Sequence, residues 1–504
     1  MTNAIGNDVV GNVEDRSDGH ESSGYAIAPN PSWHLPLLAL VVVGGAWVGE
    51  QVTASEMRWG VFVLAVLGGL GVIARGRLRA VVTASMLLLL LASVAAGRSA
   101  AEWRAVSRFD SGPFEGVVQL VSDPQPIGSG RKFVTNIDGD RFQSVVYGGN
   151  ATFVSALSAG DWVFVRGVRR DVDERGRRRM QTRHVVGVLD VAAIGFPEGG
   201  VDARTRVLER TANDMRSLLS RGASVMRSED SALFRGLVYG DDADQSVDTV
   251  NAFRASGLAH LTAVSGQNVG YLLTVLGPFL RRRERWARVT ITLSALGWFA
   301  VLTRLEPSVV RAAGMAAISA LSMAFGWRAR ALDVLSLCVV VFVMVDPFLV
   351  WSVGWWLSVG GTLGLITLTP FVHRFVRASD GRHRRLADWV APTIAAQAGV
   401  LPVSFAVFGW PNALSVPANL LAAPVAGLVM LVGFPAAMLA GLVPVLAEPL
   451  MFFPSLAVRW VALVATVASR WRPPDMVNVI GIVLIPLTLW MVGRTSRHRC
   501  ANLG

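Results

Sequence analysis

Apolar runs of about the length that crosses a bilayer recur along this chain, separated by short basic loops. In hydrocarbon the backbone must satisfy its own hydrogen bonds, so runs of this kind become helices. Three come first, at about 35–50, 59–74 and 78–97. Nine more follow a polar interval, at about 257–280, 286–304, 308–326, 331–346, 350–370, 387–406, 411–433, 446–469 and 475–493. The predicted architecture is a polytopic α-helical membrane protein with about 12 transmembrane helices. The segment 411–443 is rich in Pro and Gly, and a broken or re-entrant helix there would change that number. Composition agrees: 52% of the 504 residues are hydrophobic and mean hydropathy is +0.46, values a soluble domain of this size rarely reaches.

Charge sets the topology. Arg75, Arg77 and Arg79 lie between the second and third runs, and further arginines fall at 281–285, at Arg328 and Arg330, within 374–385, and at Arg494, Arg497 and Arg499. The positive-inside rule puts these loops in the cytoplasm, with both termini. Arg470 and Arg472 are the exception. The net charge of +11 is almost all arginine, Lys132 being the sole lysine. Arginine suits phosphate, but basic cytoplasmic loops explain the charge without nucleic acid. Residues 1–33 are polar and mildly acidic and read as a disordered cytoplasmic tail, with no signal-peptide pattern. Residues 494–504 form a basic cytoplasmic tail.

Between the three-helix block (34–100) and the second block (257–493), residues 101–200 change character. Short alternating runs at Phe114–Val121, Lys132–Ile137, Phe142–Tyr147, Trp162–Val168 and His184–Val191, with turn residues between them, predict a small OB-like β-barrel. The topology places it outside the membrane. Trp162 and Phe164 are expected to fill its core, with base stacking as the alternative. The basic segment Arg169–Arg183 is either a solvated hairpin tip or a DNA-phosphate contact. The connecting region 201–256 contains an amphipathic helix over 201–227, which either lies on the membrane interface or packs between domains.

The most unusual polar content opens the second block. Residues 253–270 carry Arg254, His260, Thr262, Ser265, Gln267 and Asn268 among glycines, at the start of an apolar run. Polar groups there are expensive unless they face protein or a water-filled path. His260 reads either as a buried histidine bonded to a backbone carbonyl or as a contact along that path. Ser308 and Arg311 open another run, and a buried arginine in a membrane helix is a functional candidate, snorkelling being the other reading. Ser358 and Asn419 are further polar groups within apolar runs.

These residues also carry a resemblance. The pattern Gly-Leu-x-His-Leu-x-Ala-Val-Ser-Gly-x-x-Val-Gly over 257–270 resembles the signature of the ComEC competence proteins. Pro307-Ser308-Val309-Val310-Arg311-Ala312, Asp346-Pro347, Trp356-Leu357-Ser358-Val359-Gly360 and Asn419-Leu420-Leu421-Ala422-Ala423-Pro424 follow in the order seen in that family. The resemblance implies a bacterial cytoplasmic-membrane channel for uptake of transforming DNA, one strand crossing in natural competence. Its substrate-contact candidates here are Arg254, His260, Ser265, Gln267, Asn268, Ser308, Arg311, Ser358 and Asn419. Implied partners are the strand in transit, membrane lipid, a DNA receptor, an ATP-driven motor and a separate nuclease; a homo-oligomer is compatible. Many members have Leu-His where this chain has Gln267-Asn268. Many also continue into a metallo-β-lactamase-like domain, a form this chain is expected to lack.

No enzyme is expected. The seven histidines form no His-x-His-x-Asp-His cluster, so no catalytic residue, metal or cofactor is predicted. A P-loop is excluded because the only lysine lies in the barrel. Cys338 and Cys500 are too few for a zinc or disulfide framework. Two other readings stay open: a secondary transporter of a small solute, and a non-transporting assembly scaffold.

Overall fold

A computed structural model describes residues 34–51, 76–107, 111–172, 174–197, 207–262, 264–327, 329–376, 381–409, 412 and 414–471. The predicted runs 59–74 and 475–493 and both predicted tails lie outside these residues.

The polar interval forms β1 (Gly112–Leu120), β2 (Gln125–Ile127), β3 (Gly130–Ile137), β4 (Asp140–Val146), β5 (Trp162–Arg170) and β6 (Val185–Gly195). They pair in the order β1-β5-β6-β4-β3-β2, and an added β1–β3 pairing closes a ring of five. Every pairing is antiparallel except β4 with β6. With β2 as a short extension on β3, this is the OB arrangement. Alternation fills the barrel from one face of four strands: Val118 and Leu120, Phe133 and Ile137, Phe142 and Val146, and Val163 and Val165 are buried, while β6 buries Val185, Val186 and Leu189 across a register shift. The β3–β4 hairpin turns at Asp138-Gly139, both at positive φ, as a two-residue turn between twisted strands requires. Trp162 and Phe164 are not in the core. They alternate with Val163 and Val165 and so lie on the outer face, half-buried.

Among the described residues, two helices precede the barrel, α1 (His34–Val48) and α2 (Gly76–Val106). They approach through small residues: a Cβ on Gly45 would meet the Ala92 carbonyl oxygen at 2.4 Å. Within the barrel, α3 (Gly149–Ser155) buries Ala151 and Val154, and the basic segment forms α4 (Glu174–Gln181). Beyond it, α5 (Val207–Ala223) is the expected amphipathic helix, and it packs between domains. Gln119 Nε2 donates to Glu209 at 3.2 Å on the barrel side, while Gly222 lies against the Ala437 carbonyl.

The second block contains α6 (Ser228–Tyr239), α7 (Val247–Ala255), α8 (Ala259–Thr262), α9 (Gly266–Leu280), α10 (Arg285–Leu302), α11 (Pro307–Ala324), α12 (Ala331–Val345), α13 (Val353–Val376), α14 (Gly381–Phe408), α15 (Ser415–Leu428), α16 (Phe434–Leu442) and α17 (Ala447–Arg470). Among the described residues, six helical segments are long and apolar enough to cross a membrane: 82–106, 307–324, 353–373, 390–408, 415–442 and 444–470. Of the expected twelve, two lie outside the described residues, and α1, α12 and the run 257–280 do not form helices of that length. At 15 residues, α1 and α12 rise only about 22 Å, against about 30 Å of hydrocarbon. The run 257–280 is split into the four-residue α8, ending at Thr262, and α9, which begins only at Gly266. The segment 415–442 is continuous, α15 and α16 being joined by a π-helical stretch at Val429–Gly433.

The barrel is seated on the helical block. Phe348, from the short 3-10 turn Pro347–Trp351, is fully buried in the barrel's hydrophobic cluster beside Val106. Arg178 of α4 pairs with Glu50 at 2.8 Å and stacks over Trp351, and His184 Nε2 lies 3.1 Å from Asp346. Arg177 pairs with Asp171 and Arg170 with Asp190. One residue of the basic segment, Arg178, thus ties the barrel to the helical block, two others pair within the barrel, and Arg179 and Arg183 are exposed.

Candidate functional site

Four of the sequence-predicted residues converge where α9 meets α11. Ser265 is the N-cap of α9, and its hydroxyl reaches only Asn268 Oδ1, at 3.5 Å, making no cap bond to the first-turn amides. Asn268 is buried and donates from Nδ2 to the Leu237 carbonyl of α6 at 3.0 Å. Ser308 donates its hydroxyl to the Val264 carbonyl, pinning the turn before α9 to the first turn of α11. Arg311, one turn further along α11, is 7% exposed. Its Nη2 lies 3.6 Å from where a Cβ on Gly266 would sit, so the guanidinium faces the start of α9. Its Nε and Nη1 have no hydrogen-bond partner among the described residues.

The remaining candidates lie around this cluster or apart from it. Gln267 is exposed on α9, next to Gly266. His260 is exposed, and its Nδ1 lies 3.2 Å from the Gly257 carbonyl. The expected carbonyl contact is present, without the expected burial. Asn419 is buried in α15 and donates to the Ser415 carbonyl at 2.8 Å, and Ser415 in turn packs on Gly257. Arg254 is exposed on α7 and acts electrostatically on Asp242. Ser358 lies in α13, where its carbonyl accepts from Thr362. That helix packs on α14 through Gly360, Gly364 and Gly399.

The rim of the site carries charge that sequence reading missed. Asp242 precedes α7, and Glu306 precedes α11. Burial pushes both carboxyls up, with Asp241 adding to the effect at Asp242 and Asp242 at Glu306. Asp123, in the loop between β1 and β2, receives Arg304 Nη2 at 2.7 Å and Arg216 Nη2 at 2.8 Å. Burial alone would raise its carboxyl, but the two guanidinium groups outweigh that and hold it below the usual range. Arg304 and Leu305 both have positive φ, the strained left-handed region for non-glycine residues. The Asp-Pro dipeptide at 123–124 signals only a turn, and two consecutive left-handed residues leave no trace in composition. Among the described residues, no three His, Cys, Asp or Glu side chains converge as a metal site.

The site thus lies within an apolar block yet presents a helix start without a side-chain cap, a buried guanidinium and buried side-chain amides. A family model described as "Competence protein" matches residues 237–495, just over half of the chain and all of this cluster. The chain belongs to the competence protein family. It is similar to ComE operon protein 3 of Bacillus subtilis (strain 168), 27% identical over 211 residues that cover 41% of this chain and 26% of the relative. It is also similar to uncharacterized protein YcaI of Escherichia coli (strain K12), 25% identical over 207 residues, 38% of this chain and 27% of the relative. The match therefore spans about a quarter of the length of each relative. No solved structure matches.

Proposed function

We propose that this chain is a membrane conduit for transforming DNA, passing a single strand across the cytoplasmic membrane during natural competence. The observation that carries this reading is the polar cluster of Ser265, Gly266, Asn268, Ser308 and Arg311, set inside the segment that matches the competence family. A polyanion crosses hydrocarbon only where protein dipoles and cations replace water. The start of α9 and the Arg311 guanidinium supply both, and Gln267 and Asn419 extend the polar lining.

In this reading the barrel lies outside, both termini lie inside, and the two undescribed runs together with α1, α9, α10 and α12 bring the spans to about twelve. The conduit itself breaks no bond. A DNA receptor, an ATP-driven motor and a separate nuclease supply capture, force and strand degradation, and several copies assembling together would be compatible with it. The test is uptake of end-labelled DNA by a naturally transformable host with and without the gene, scored as label that resists added DNase. Loss of protected label with surface binding intact is the expected result. Unchanged protected label would remove the conduit reading and favour a small-solute transporter or a scaffold.

A further inference from the structure

We infer that the start of α9 and Arg311 together form a binding site for a single phosphate group. Helix α9 is 15 residues long and has no side-chain cap; the Asn268 N–H donates to the Ser265 carbonyl at 3.0 Å, which leaves the Gly266 and Gln267 amides without a partner among the described residues. Such a helix start carries about half a positive charge. Facing it is Arg311, more than nine-tenths buried, with two guanidinium nitrogens unpartnered among the described residues. Two positive ends meeting without an acceptor in a low-dielectric setting repel each other. An oxyanion between them resolves this, taking backbone N–H bonds on one side and the planar guanidinium fork on the other.

The intervening residue is Gly266, where a Cβ would stand 3.1 Å from the Ala312 side chain and 3.6 Å from Arg311 Nη2. The glycine lets α11 come close to the start of α9 and so brings the guanidinium near its first amides. Ser308 and Asn268 spend their donors on the Val264 and Leu237 carbonyls, fixing the walls of the site. Exposed Gln267 marks the side from which an anion enters. A phosphodiester, a free phosphate and an anionic lipid headgroup all offer the same chemistry. The strand as its source rests on the conduit reading; the phosphate site does not.

The test uses the full chain purified in maltoside micelles, which carry no phosphate, at constant ionic strength held with chloride. Inorganic phosphate, a short single-stranded oligonucleotide and phosphatidylglycerol are titrated separately, with tryptophan-monitored unfolding as the readout. The variants are Arg311→Gln and Gly266→Ala, the second of which keeps the guanidinium and places a methyl in the anion's space. Phosphate is expected to raise the unfolding temperature of the native chain, and both variants are expected to weaken its binding roughly tenfold or more. If Arg311→Gln does not fold, Gly266→Ala decides alone. Absence of binding by all three probes, or equal binding by native chain and variants, overturns the proposal. Binding of phosphate or lipid that depends on these residues, without binding of the oligonucleotide, retains the site and sinks the strand as its source.

Discussion

Asp123 shows how much of the molecule can hang on one carboxylate. It is only a quarter exposed, and its partners Arg216 and Arg304 lie 93 and 181 residues further along the chain. Arg216 also donates to the Leu302 carbonyl at 3.1 Å and stacks over Tyr239. Asp123→Asn leaves two clustered guanidinium groups uncompensated, an effect of about 3 kcal/mol. It is expected to appear as faster hydrogen exchange in loop 121–129 and a lower unfolding temperature. The same linkage has a pH sign. The folded carboxyl titrates below its unfolded value, so its stabilisation is complete above roughly pH 4 and is lost as pH falls through the depressed value. Exchange in that loop should therefore rise on acidification in the native chain and be flat in the Asn variant. Leu305 gives a prediction of opposite direction. It is 61% exposed at φ 55°, so Leu305→Gly relieves left-handed strain and is expected to stabilise by about 1 kcal/mol, read as a higher unfolding temperature. Arg311 was legible in the sequence because an arginine within an apolar run has few innocent explanations. Asp123 was not, since its meaning lies wholly in residues distant along the chain.

At the scale of elements, periodicity carried most of the information. The five predicted strands appear near their expected places, because period-two alternation with turn residues has few other solutions. The added β2 escaped notice, since three residues are too few to show a period. Trp162 and Phe164, expected in the core, are sent outward by alternation with Val163 and Val165. The run 257–280 reads as one span because mean hydropathy does not show the break between α8 and α9. Close helix contact is equally invisible to hydropathy but leaves a glycine spacing. Gly360 and Gly364 on α13 face Gly399 on α14, and a Cβ on Gly364 would stand 2.3 Å from the Ala395 carbonyl oxygen. Gly364→Ala must push the helices apart, which is expected to destabilise the pair by about 1–3 kcal/mol. The check is unfolding of the purified variant in mixed micelles, where a change below 0.5 kcal/mol would count against this contact.

For the whole molecule, the organising fact is where the barrel sits. The ends of α1 and α2, the α10–α11 turn and the turn after α12 all meet it, through Glu50, Val106, Arg304 and Asp346 with Phe348. Those four points fall on one side, as the alternation of basic loops requires of the proposed topology. The barrel is thus held by ion pairs and one buried aromatic directly over the block that contains the phosphate site. Nothing in the sequence signals this seating, because it rests on contacts between residues far apart in the chain. The loop between β1 and β2 and the segment between β5 and β6, which many OB folds use for ligands, are here engaged with the helical block. A strand reaching the conduit would then pass the barrel by its remaining faces.

The account is tested most directly by asking whether DNA touches α9 during uptake. A photo-crosslinking residue placed at Gln267, beside the phosphate site, would be compared with one at Phe279, exposed on the same helix at its far end. Cells taking up labelled DNA stalled by a bulky end group would be irradiated and the chain recovered. The account expects labelled strand attached at 267, little at 279, and loss of the 267 adduct in the Arg311→Gln background. Equal labelling at both positions, or none at 267 while protected DNA accumulates, would contradict it.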